Sequence, residues 1–245
     1  MSGGFAERVR SGFTAAPAYP PSDADRRTVR IAGLDLPLLA TTAIAVAVFV
    51  LLFDFTRTFI PEPVQDLGRA APAIRYNAIE RAILFGLIPL LVVVFAFRDR
   101  PSAYGLRLGD WRWGAGLAGL GCLVMTPLVL ILAAQPDFRD YYAISWAPTG
   151  DLLLTYILDL ASAEFLFRGF LLFALLRAMG PIGLVVATIP FVFVHLGKPE
   201  VELFSTMLGG LVFGWLNWRT GSIVWSAAAH IYILTLAVAA VGPPG

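Results

Sequence analysis

The amino-acid sequence predicts an all-α fold, a polytopic membrane helix bundle of about seven transmembrane spans. Two observations carry this expectation. Hydrophobic residues make up 58% of the chain and charged residues 14%, whereas soluble domains carry about a quarter charged residues. The apolar residues are also gathered into runs, each near the ~20 residues that a helix needs to cross a bilayer. These runs fall at about 36–53, 78–97, 113–134, 152–176, 181–197, 202–218 and 222–241.

Residues 1–34 precede the first run. They hold Arg8, Arg10, Arg26, Arg27 and Arg30 among frequent Gly, Pro, Ser and Ala, a composition that predicts a flexible tail ahead of a membrane domain over 35–245. The first apolar run begins too late for an ordinary cleaved signal peptide and reads as an uncleaved span. The fourth and fifth runs are separated by Ala178-Met179-Gly180-Pro181, a helix stop followed by a helix start. The fifth is short and contains Pro190, which predicts a broken or tilted segment.

Lysine and arginine set the orientation. Eleven lie on one side, in the tail, in 98–112 and at Arg177 and Arg219. Five lie on the other, at Arg57, Arg69, Arg75, Arg139 and Lys198. The excess places the N-terminus in the cytoplasm and the C-terminus outside, as an odd number of spans also requires. The net charge of +1 offers no field for nucleic acid, so the expected partners are the lipid bilayer and whatever the bundle binds. Cys122 is the single cysteine. It excludes an internal disulfide and a cysteine metal knuckle, and it reads as a packing residue.

The chemistry is concentrated in Ala163-Glu164-Phe165-Leu166-Phe167-Arg168-Gly169-Phe170. Glu164 and Arg168 are four residues apart and share one helical face. Charges at bilayer depth mark an internal ion pair or a function. Either reading is open here: a pair that lets both charges sit in the bundle, or a glutamate that activates water with the arginine orienting it. The only histidines, His195 and His230, also fall in apolar runs; imidazoles there can place a water or stabilise an oxyanion. The zinc-protease pattern of two histidines at i and i+4 with a glutamate between them is absent, so no metal and no cofactor is expected. Asp159, one turn before Ala163, is the reserve acid. Glu80 and Arg81, beside Asn77, read as the start of the second span. Gly114-Ala115-Gly116, Gly209-Gly210 and the Gly210–Gly214 spacing read as close-packing faces.

In this order, Glu164 to Gly169, then Phe191 and His195, then His230 after Arg219-Thr220-Gly221-Ser222-Ile223, the residues resemble the CPBP intramembrane proteases. That family includes the CAAX prenyl endopeptidases and the bacteriocin-processing or immunity proteins often labelled Abi. Residues Tyr104 to Trp111 resemble the segment before its third span, and the resemblance covers about residues 80–235. It implies a metal-independent endopeptidase of the bacterial inner membrane, acting on a polypeptide substrate, with Glu164, Arg168, His195 and His230 as catalytic residues. Two positions depart from the family pattern. The first motif is Glu-Glu-x-x-x-Arg, and Ala163 stands at its first glutamate, the one held to activate water. The third motif is a histidine followed four residues later by Asn or Asp, and Leu234 stands there. Three explanations stay open: Glu164 is the base of a variant site, the chain is a silent relative that binds a peptide or toxin, or Ala163 is an engineered replacement. The first predicts that Glu164 and both imidazoles line one cavity. A transporter would show a longer polar path and inverted repeats, which this sequence lacks.

Overall fold

The computed structural model describes residues 23–144 and 149–243; Arg8 and Arg10 of the tail lie outside them. The described end of the tail is folded. Strand β1 (Thr28–Ile31) pairs antiparallel with β2 (Leu34–Pro37). Ala32 and Gly33 connect them, both at positive φ, as a two-residue hairpin turn requires. The hairpin is tied to the helices: Arg27 Nη2 donates to the Phe97 carbonyl at 2.7 Å, and Asp25 faces Arg177 at 3.7 Å.

Each apolar run is a helix. Four are long and apolar enough to cross a membrane: α1 (Leu38–Thr56), α2 (Ala71–Phe97), α3 (Trp111–Leu132) and α7 (Val224–Val241). Between α3 and α7 come α4 (149–179), α5 (Ile182–Phe193) and α6 (Glu200–Thr220). Two boundaries differ from expectation. Helix α2 starts at Ala71, so Glu80 and Arg81 lie well inside it rather than at its start. Helix α5 ends at Phe193, three residues past Pro190. His195 therefore sits in the turn that follows, its backbone N–H donating to Val192 at 3.0 Å.

Helix α4 is the hub. Residues 163–176 are buried without interruption, and the segment is apolar all round apart from Glu164 and Arg168, the signature of a helix enclosed by others. Helices α2 and α7 pack on its first half, α1 and α5 on its second. Midway, Phe165–Leu171 form a π-helical turn that begins directly after Glu164 and contains Arg168. Such turns are often found at functional sites. Gly169 lies in this turn because a Cβ there would meet the Tyr104 carbonyl at 2.8 Å. The expected close-packing face of α6 is also present: a Cβ on Gly210 would meet Thr188 Cγ2 of α5 at 2.6 Å.

The loop 104–110 fixes the start of α7. The Ile223 N–H donates to the Gly105 carbonyl at 3.0 Å and the Asp110 N–H to the Thr220 carbonyl at 2.9 Å. Arg107 Nε reaches the Gly221 carbonyl at 2.9 Å, and Trp225 Nε1 the Leu108 carbonyl at 2.9 Å. These bonds hold the α6–α7 turn, and with it the depth at which the side chains of α7 enter the bundle.

Arg81 is a bridge between three helices, not the edge of a span. Its Nε and Nη2 donate to Asp54 of α1 at 2.7 and 3.1 Å, and its Nη1 donates to Asp159 of α4 at 3.3 Å. A charged side chain inside an apolar helix is retained when it is paired in this way.

Candidate active site

Glu164 is wholly buried, and both its oxygens are engaged. Oε1 is paired with Arg168 one turn along α4 and accepts from His230 Nδ1 at 2.9 Å. Oε2 accepts from Ser226 Oγ at 2.7 Å. Ser226 and His230 are four residues apart on α7, so one face of that helix grips both oxygens of the carboxylate. Ser226 was not singled out from the sequence. Its signal was its position one turn before His230 in a run of small residues.

Phe191 is the centre of the apolar surround. The Arg168 guanidinium lies 3.8 Å from its ring centroid. The rings of His195 and His230 lie 4.5 and 6.1 Å from it. The backbone carbonyl of Phe191 accepts from His195 Nδ1 at 2.8 Å. A carbonyl only accepts, so His195 carries its proton on Nδ1. The Glu164 carboxylate sets the same tautomer for His230. Among the described residues Nε2 of neither ring is hydrogen-bonded, and in a neutral imidazole with its proton on Nδ1 that nitrogen is an acceptor.

Two cavities meet at these imidazoles. One, of about 190 Å³, has a wall of charged and polar residues that includes Arg81 and Asp159, together with Ala163. The other, of about 550 Å³, is lined mainly by aliphatic residues of α3, α6 and α7. Phe191, His195, His230 and Leu234 belong to both. Glu164 lines neither, which corrects the expectation that it shares a cavity with both histidines. It lies behind His230, and its charge is already matched by Arg168. The residues of this stretch that line the polar cavity are its neighbour Ala163 and Phe167.

Residues 145–236 match the family model described as type II CAAX prenyl endopeptidase Rce1-like. The resemblance to the CPBP proteases is thus shown for the segment that holds α4 to α7 and all four candidate residues. No curated protein and no solved structure matches the chain. Together with the apolar helices, the Rce1-like segment makes this an integral membrane protein. Ala163 and Leu234, the two positions at which the sequence departs from the expected pattern, lie on the wall of the polar cavity and on the walls of both cavities, respectively. Among the described residues no group of three His, Cys, Asp or Glu is placed to hold a metal ion.

Proposed function

We propose that this chain is an intramembrane endopeptidase that hydrolyses a peptide bond of a membrane-associated or peptide substrate. The observation that carries the reading is the pair of imidazoles on one cavity, each with Nδ1 committed to an acceptor and Nε2 unbonded among the described residues. Such a nitrogen accepts one hydrogen of a water, leaving the other hydrogen for a carboxylate base and an oxygen lone pair free to attack a carbonyl. Glu164 holds the His230 ring in place, and Arg168 and Ser226 hold Glu164. The general base is then a further carboxylate on the cavity wall, since Glu164 is wholly buried and engaged on both oxygens. The apolar cavity beside the imidazoles suits the hydrophobic part of a substrate.

In this reading all seven helices cross the bilayer, the N-terminus is cytoplasmic, and the membrane is the bacterial inner membrane. The basic residues support it. Arg27, Arg107, Arg177 and Arg219 make their contacts around the hairpin, loop 104–110 and the α6–α7 turn. Arg69, Arg75 and Lys198 make theirs around Tyr141, Asp151 and Glu202. The first group lies at one end of the bundle, and the second at the other.

The test uses the full chain in liposomes with fluorescence-quenched peptides ending in a CAAX sequence, prenylated and unprenylated. His195→Ala and His230→Ala should each lower cleavage by at least about 100-fold, the lower range for loss of a proton-handling group. Unchanged cleavage in both variants would overturn the reading. Ala163 and Leu234 on the cavity walls favour a second reading, a silent relative that binds a peptide or toxin. It forecasts saturable peptide binding with no new peptide termini by mass spectrometry.

A further inference from the structure

The polar cavity has one carboxylate on its wall near the place where Ala163 leaves a gap. We infer that Asp159 is the residue that takes the proton from the attacking water in this chain. The inference rests on the endopeptidase reading.

Three observations support it. First, Asp159 and Ala163 are one helical turn apart and line the same cavity as His195 and His230. Helical side chains lean toward the helix N-terminus, so a glutamate at 163 would carry its carboxylate back over the turn below its own Cα. That is the turn from which the shorter Asp159 projects. The two positions can therefore present a carboxylate to the same stretch of wall.

Second, the two carboxylates near the imidazoles differ in availability. Glu164 is wholly buried and engaged on both oxygens. Among the described residues Asp159 is hydrogen-bonded once, to Arg81 at 3.3 Å through Oδ1, longer than either Arg81 bond to Asp54.

Third, the charge count favours Asp159. Glu164 is matched by Arg168 as its own guanidinium partner. Asp54 and Asp159 share the single guanidinium of Arg81. Arg69 and Lys198 also line this cavity. Lys198 is paired with Glu202 at 2.6 Å, and Arg69 lies over the Tyr141 ring.

The step balances as an ordinary hydrolysis. Water oxygen bonds to the peptide carbonyl carbon as one proton passes to the Asp159 carboxylate. The C–N bond then breaks and that proton passes to the leaving amine nitrogen. The products are a carboxylic acid and an amine, and Asp159 is again ionised.

The experiment compares four full-length proteins in liposomes on the quenched peptides above: the parent, Asp159→Asn, Ala163→Glu, and both changes together, with thermal unfolding in detergent followed in parallel. The expected result is cleavage by the parent, a fall of at least about 100-fold in Asp159→Asn, and recovery to within about tenfold of the parent in the double variant, because Ala163→Glu returns a carboxylate to the same wall. Parent-like cleavage by Asp159→Asn overturns the inference and leaves the endopeptidase reading standing. A fall without recovery also overturns it, and makes Asp159 only a partner of Arg81. A silent parent with an active Ala163→Glu variant overturns it too, and identifies a protease scaffold that lacks its base. If neither the parent nor Ala163→Glu cleaves, the endopeptidase reading itself fails and Asp159 falls with it.

Discussion

Glu164 of α4 accepts a hydrogen bond from His230 of α7 at 2.9 Å, 66 positions away in the chain. This contact joins α4 and α7 in one buried cluster and commits Nδ1 of His230 to the carboxylate. The carboxylate positions the imidazole and keeps out of the cavity that the imidazole faces.

Replacing Glu164 by Gln keeps the shape and removes the charge, and Arg168 is then buried without a counter-charge. The protein should lose about 3–5 kcal/mol of stability, as when one partner of a buried pair is removed. Arg168→Met in the same protein should recover part of that loss. Thermal unfolding of the single and double variants in detergent checks it, and equal losses in both would show that the pair is not coupled.

Ser226→Ala leaves Oε2 of a buried carboxylate without its 2.7 Å donor. The expected cost is about 1–3 kcal/mol, the penalty for an unsatisfied buried acceptor. Cleavage should fall with it, because His230 shares the same carboxylate. An unfolding curve that superposes on the parent's would remove Ser226 from the site.

Gly210→Val forces a side chain into Thr188 of α5. The α5–α6 contact should open at a cost of about 1–3 kcal/mol, the range for overpacking. Gly209→Val, whose added Cβ meets nothing within 4 Å, should cost much less. Matching melting temperatures for the two variants would contradict the packing described.

The orientation has a direct readout. In a Cys122→Ala background, Asp66→Cys and Leu108→Cys place thiols at exposed positions in the α1–α2 and α2–α3 connections. An impermeant maleimide applied to intact cells should label position 66 and spare position 108. The reverse pattern would turn the protein over in the membrane, and equal labelling would refute the seven-span crossing.

Chelation should leave cleavage unchanged. A catalytic zinc is held by three protein ligands, and the two imidazoles have no third ligand placed to join them among the described residues. Loss of activity in EDTA, with recovery on adding zinc, would replace the mechanism with a metal-assisted one.

The sequence by itself determined the helical class, the places of the apolar helices and the small set of residues able to carry chemistry. The reason is physical: a bilayer demands long apolar helices, and a charge or imidazole inside one stands out against them. The same patterning misjudged the start of α2, where Glu80 and Arg81 interrupt the apolar run without interrupting the helix. It also placed residues 28–34 of the hairpin in a flexible tail, because two four-residue strands carry little periodic signal. What only the tertiary structure decided is which polar groups meet. Arg81 finds Asp54 and Asp159 on two other helices. Ser226 and His230 reach Glu164 because loop 104–110 clamps the start of α7 at a set depth. Ala163 faces the cavity while Glu164 turns away from it, since adjacent helical residues point about 100° apart and the crossing of α4 with its neighbours settles which one is enclosed. Spacing along one helix is local and legible in a sequence. The rotation and depth of one helix against another come from packing across the whole bundle.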